Sequence, residues 1–184
     1  MGKTAGWTAP LISGGMVLLL AGLGAALFFQ WRAAEDPGTG RRAEPVARDA
    51  TLAVATGANE AFTSVTWKGR IAGGPEARAK ALAAAVGQAE GPDGEPLWPA
   101  PVRVRNVYLR PEGLLILDLD ASITYNAGHD AAREWRLVRS LTRTLIQSSR
   151  DIERIKFLVN GAEAETLAGH INIAMPFGPA DVTP

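Results

Sequence analysis

From residue 4 to residue 31 the chain carries no charged side chain, and Leu11 to Trp31 is almost wholly apolar or small. About 20 such residues are needed for a helix to cross the hydrocarbon core of a bilayer. The run therefore predicts a membrane anchor over 11–31, behind a short flank at 1–10. Trp7 and Trp31 bracket it where interfacial aromatic residues are expected, and Gly14, Gly15, Gly22 and Gly24 are acceptable within a membrane helix. A buried soluble helix is disfavoured by the length and the lack of charge. A cleaved signal peptide is the stronger rival, but the run is long for one, and Arg32-Ala33-Ala34 puts arginine where a small residue is wanted. The expectation is one uncleaved transmembrane helix.

Residues 32–50 read as a flexible linker, because Glu35-Asp36-Pro37-Gly38-Thr39-Gly40-Arg41-Arg42 is polar, rich in turn formers and without apolar period. A folded domain is expected over 51–178, with a tail at 179–184. Thr51 to Thr56 is a strand candidate, and a second extended piece with Val65, Trp67 and Ile71 follows over 62–71. Gly73-Gly74-Pro75-Glu76 opens a helix, with proline in its first turn and an acid at its positive end. Ala77, Ala81, Leu82, Ala85 and Ala89 give that helix a small-residue face, and Gly91-Pro92 ends it. Leu97-Trp98 is the expected anchor of a proline-rich crossing. Val102 to Leu109 and Leu114 to Leu119 then form a β-hairpin about Arg110-Pro111-Glu112-Gly113.

The clearest amphipathic signal runs from Asp130 to Ser148. Ala131, Val138, Leu141 and Leu145 fall on one face, and Arg136, Arg139 and Arg143 fall roughly opposite. Ile155, Phe157 and Val159 alternate along a last strand that runs into Asn160-Gly161, a pair suited to the positive φ of a tight turn. Ile171, Ile173 and Met175 form a returning apolar segment, ended by Pro176.

Charge is balanced, 19 Lys and Arg against 19 Asp and Glu, which argues against a general nucleic-acid binder. The absence of cysteine excludes a disulfide framework, a thiolate metal site, a thiol nucleophile and lipidation at a cysteine behind the apolar run.

Several of these residues also stand in a familiar order. Thr144-Leu145 near a helix end, the apolar Leu158-Val159 before Asn160-Gly161, then Glu165-Thr166-Leu167-Ala168-Gly169-His170-Ile171 and Pro176 together resemble the end of a GerMN domain, a module named for spore germination and sporulation. Trp98-Pro99 and an Asp near the end of the second hairpin strand, Asp118 or Asp120, fit the same pattern. The resemblance is strong from Trp98 to Phe177, weak from Thr51 to Glu90, and covers none of the anchor. Ala127-Gly128 replaces the Gly-Gly usual ahead of Glu134, and Asn172 replaces the more usual Asp after Ile171. The family implies an extracytoplasmic, non-enzymatic domain. Flanking charge points the other way, with Arg32, Arg41, Arg42 and Arg48 behind the anchor against Lys3 and the α-amino group ahead of it. Long domains cross membranes despite such flanks, so the extracytoplasmic orientation is the expectation.

Few residues suggest chemistry. Asp118 and Asp120, two apart on a strand, would share a face and can be imagined as an acid/base or cation-binding pair; a solvated strand end is the plainer reading. His129-Asp130 and His170 lack the spacing of a local zinc signature. Arg136, Arg139 and Arg143 form a candidate basic surface for acidic partners, headgroups or anionic wall polymers, with a solvated helix face as the default. Asn160, Gly161, Gly169 and His170 are the candidate structural or binding residues. No catalytic residue, metal or cofactor is expected. The expected fold is α/β (α+β): a single mixed or antiparallel sheet with two helices packed on one face, behind one transmembrane helix. The expected function is a membrane-tethered interaction or assembly module of the cell envelope, with an envelope protein or the cell wall as partner. Binding of wall glycan or an anionic polymer is the alternative, and a hydrolase using Asp118, Asp120 and a histidine the less favoured one.

Overall fold

The computed structural model describes residues 46–56, 61–71, 73–91, 94–125 and 130–182. The expected anchor at 11–31 and His129 lie outside the described residues. Among the described residues no helix is long and apolar enough to cross a membrane.

The chain forms β1 (Val46–Thr56), β2 (Ala61–Ile71), α1 (Pro75–Gly87), β3 (Val104–Leu109), β4 (Leu114–Leu119), the single turn α2 (Ser122–Tyr125), α3 (Ala131–Ser148) and β5 (Arg154–Val159). The expected single sheet is instead two. β1 and β2 make an antiparallel hairpin of their own, while β3, β4 and β5 make a three-stranded sheet with β4 central, antiparallel to β3 and parallel to β5. Helix α1 packs on β1, β2 and β3, and α3 packs on β1 and β5 and against α1. β1 starts at Val46, inside the stretch expected as linker, where Asp49 faces Lys68 and Ala50 faces Trp67 across the ladder. Charge made that segment look like linker, although it is the outer end of a paired strand.

One apolar core joins these elements. Leu115, Leu117 and Leu119 on the central strand meet Leu137, Leu141 and Leu145 from α3, with Leu52 and Val54 from β1 and Phe157 from β5. The alternation on β4 and the four-residue spacing on α3 are the periods that each element needs to bury one side. Trp98 is 1% exposed, so the expected anchor of the crossing lies in this core. On α1 the expected Leu82 and Ala85, and Ala89 just past its end, are buried, but Ala79, Ala83 and Val86 join them while Ala77 is exposed and Ala81 half-buried, so the face is rotated from the one expected. Small residues matter at the end of that helix. A β-carbon on Gly87 would lie 2.2 Å from Val102 Cγ2, so only glycine allows the close approach.

Candidate functional site

The two ends of the GerMN-like string are each held by one buried carboxylate. At the first, β5 ends in a two-residue turn in which Val159 and Ala162 exchange backbone hydrogen bonds of 3.0 and 3.1 Å. Asn160 and Gly161 have φ of 55° and 79°, the left-handed region that Asn and Gly tolerate best. Asp118, 3% exposed, lies under this turn, and its Oδ1 accepts from Gly161 N at 2.7 Å. Its Oδ2 accepts from Asn106 Nδ2 at 3.3 Å and lies 3.5 Å from Arg105 Nε. Arg105 Nη1 also donates to Asn160 Oδ1 at 2.6 Å, closing the ring.

The second carboxylate is Glu134. Asp130 caps α3 by accepting from Ala132 N and Arg133 N at 2.9 and 3.1 Å, and Glu134 follows in the first turn. It is 1% exposed and takes four donors from the 165–171 loop. Oε1 accepts from Ala168 N at 2.8 Å and Ile171 N at 3.0 Å, while Oε2 accepts from His170 N at 3.1 Å and lies 3.2 Å from His170 Nδ1. Gly169, with φ of 111°, donates to Thr166 Oγ1 at 3.2 Å and lets the loop fold back. A carboxylate bound by several backbone N–H groups is an effective way to fix a loop that lacks secondary structure.

The acids and the histidine do not converge. Asp118 serves the 160–161 turn and His170 serves Glu134. Asp120, expected on the same strand face as Asp118, lies past the end of β4. Its Oδ1 accepts from Ser122 N at 3.0 Å. That bond and then the Ser122 side chain hold its carboxyl below the ordinary aspartate range; desolvation opposes them, and the charges of Arg103 and Arg105 add smaller lowering effects. Among the described residues no group of three or more His, Cys, Asp or Glu is placed to hold a metal.

The expected basic face is only partly a solvated one. Arg139 is 2% exposed, with its guanidinium 4.7 Å from the Phe62 ring centre and 5.8 Å from that of Trp135. Arg143 is half-buried over the same Phe62 ring at 5.6 Å. Arg136, also half-buried, helps line a 50 Å³ cavity with Arg133, Glu95 and Leu97. Stacking on β2 draws Arg139 and Arg143 out of solvent, which helical periodicity alone does not reveal. Beside the Glu134 loop, Trp135, His170, Ile171, Asn172 and Phe177 line a shallow groove of about 580 Å³. The Phe177 ring lies 6.2 Å from Trp135 and 5.8 Å from Phe157.

Sequence reasoning did not single out Glu134 as a hub. Its signal was available: at four, three and four residues' spacing, Glu134, Val138, Leu141 and Leu145 share one stripe, so a charge stands on an apolar face. Ser140 and Thr144 were missed as well. Their hydroxyls accept from Ala55 N and Ala53 N of β1, both at 2.9 Å.

A family profile described as Germane, sporulation and spore germination, matches residues 46–165. No curated protein matches the sequence. Among solved structures, the first GerMN domain of the sporulation protein GerM from Bacillus subtilis is similar at 22% identity and a TM-score of 0.56, covering 73% of this chain and 99% of that one. The tandem GerMN domains of the same protein align at 22% identity and a TM-score of 0.55, over 74% of this chain and 48% of theirs, so this chain spans about half of the tandem. A candidate lipoprotein from Clostridium perfringens aligns at 21% identity and a TM-score of 0.50, over 73% of this chain and 89% of its own. At such identities the likeness is one of fold.

Proposed function

We propose, for a chain that belongs to the Germane family of sporulation and spore germination, a non-catalytic interaction or assembly module of the cell envelope. In this reading the 11–31 run is a single-pass anchor and the domain is extracytoplasmic; that one similar structure is of a candidate lipoprotein supports a membrane-associated domain. The observation that carries the reading is the free outer edge of β2, which among the described residues has no backbone partner. An unpaired edge is a template for another chain. The non-catalytic part is supported by the separate duties of Asp118, Asp120 and His170: the first two fix pieces of backbone and the third contacts the buried Glu134 carboxylate.

Photo-crosslinking of the full chain in native membranes tests this, with the reactive group at Ser64 on β2 or at Asn172 beside the groove. Discrete adducts from at least one position are expected. Wall-hydrolase activity that is lost in Asp118→Asn or His170→Ala, without loss of stability, would contradict the reading.

The groove favours a second reading, binding of wall glycan. Trp135 offers ring surface, backed by the buried Phe177, and His170 and Asn172 offer polar contacts at its rim. Quenching or enhancement of tryptophan fluorescence by soluble wall fragments, lost in Trp135→Ala, is the outcome that this second reading requires.

A further inference from the structure

The β1–β2 hairpin treats its two long edges differently. On β1, Ala53 N donates to Thr144 Oγ1 at 2.9 Å, Thr144 Oγ1 lies 3.4 Å from Ala53 O, and Ala55 N donates to Ser140 Oγ at 2.9 Å. The peptide groups of Ala53 and Ala55 therefore point away from β2. In an antiparallel ladder, facing residues either exchange both bonds or turn both outward. The ladder runs without a register shift from Val46 opposite Ile71 to Thr56 opposite Ala61. Ser64, opposite Ala53, and Phe62, opposite Ala55, must then present N–H and C=O on the outer edge of β2. Thr66, Lys68 and Arg70 do the same by the two-residue period.

Among the described residues nothing meets these groups. The edges of the other sheet are each met at several points. Glu76 accepts from Leu109 N and Lys80 donates to Arg105 O on β3, and Ile155 of β5 exchanges two 2.8 Å backbone bonds with Phe177.

The open edge is also charged. Lys68 and Arg70 are exposed at one end, and Arg143 stands over Phe62 at the other, beside the buried Arg139. Asp49 is the sole acid on the described residues of the two strands. We infer that the outer edge of β2 binds an extended acidic segment of a partner protein, which adds as a further strand. Its main chain pairs with residues 62–70, and its carboxylates meet Lys68, Arg70 and Arg143. This rests on the proposed role as an interaction module and names the partner's chemistry. A second copy of the chain fits less well. Two β2 edges paired antiparallel about Thr66 would set Arg70 against the second copy's Phe62, over which Arg143 already stands, so cations would oppose cations at both ends.

The probe is a labelled peptide as long as β2, 11 residues, alternating threonine and glutamate, titrated into the full chain in an uncharged detergent. The same peptide with lysine for glutamate is the control. The acidic peptide is expected to bind, more weakly as salt rises, and the lysine peptide is not. Thr66→Pro removes an outward N–H without touching the β1 ladder, and is expected to weaken binding by about tenfold or more. The double variant Lys68→Glu/Arg70→Glu keeps the strand and is expected to reverse the preference between the peptides. Equal binding of the two peptides, no binding of either, or binding unchanged in both variants would overturn the inference. So would a concentration-dependent dimer that Thr66→Pro dissolves, which would make a second copy the occupant. Crosslinks in native membranes from Asn172 but none from Ser64 would remove this inference and leave the interaction module standing; none from either would remove both.

Discussion

Helix α3 holds two neighbouring segments in different ways. At its first turn, Glu134 binds the 165–171 loop through a buried carboxylate that takes four donors at 2.8 to 3.2 Å. In its middle, Ser140 and Thr144 hold β1 through neutral hydroxyls, leaving the far side of the hairpin open. The hydroxyl arrangement works because four residues of helix rise about 6 Å while two residues of strand rise about 6.8 Å, so i and i+4 on one match i and i+2 on the other. The loop is over-determined and the hairpin is tied along one edge only. A segment locked at five successive backbone donors, residues 167–171, suits a structural role, and one with a spare edge suits recognition.

That contrast orders the expected effects of substitution. Glu134→Ala should cost most, about 3–5 kcal/mol, because three backbone N–H groups and His170 lose their buried acceptor together. Chemical denaturation of the full chain in detergent measures it. A loss below about 1 kcal/mol would mean that water replaces the carboxylate at little cost and that the loop is not over-determined.

The double change Ser140→Ala/Thr144→Val should cost less, about 2–3 kcal/mol, and its effect should be local. Amide exchange at Ala53 and Ala55 is expected to accelerate in this variant while exchange at Ala168 and Ile171 stays slow. Equal acceleration in both regions would erase the distinction between them.

Gly161→Ala should cost about 1 kcal/mol, since nothing lies within 4 Å of an added β-carbon and the penalty is only that of φ at 79°. Turn strain of this kind is read from the shift in denaturation midpoint, which is expected to be well under that of Glu134→Ala.

The smallest effect concerns Asp120. Its carboxyl is depressed in the folded state, chiefly by the Ser122 backbone N–H. A depressed carboxyl adds stability that is present above its unfolded pKa and is lost as pH falls through the lower, folded value. A slight extra loss of stability is therefore expected on acidification below about pH 4, and Asp120→Asn should remove it. An unchanged acid limb in that variant would assign the loss to other carboxylates.

How much of this was legible depended on where each constraint is written. The Asn160-Gly161 turn, the β3–β4 hairpin and α3 were readable because their determinants are contiguous: a positive-φ pair, alternating apolar residues and an apolar stripe. The split into two sheets was not, because it turns on Ala53 and Ala55 meeting Thr144 and Ser140, 91 and 85 residues away. The rotated face of α1 and the burial of Arg139 share that cause, since both depend on packing against strands whose position periodicity does not encode. Glu134 was half legible: its place on an apolar stripe marked it as odd, and only the fold showed the loop that it binds.

The most direct measurement is residue-resolved amide exchange along β2 in the full chain, with and without the acidic peptide. In the free protein, Thr63, Val65 and Trp67 are expected to be protected by β1 and Ser64, Thr66 and Lys68 to exchange freely. With the peptide, Ser64, Thr66 and Lys68 should become protected while Ala168, His170 and Ile171 remain as they were. Uniform protection along β2 in the free protein, or protection that appears in the 165–171 loop and not on β2, would contradict the division between a locked loop and a recognising edge.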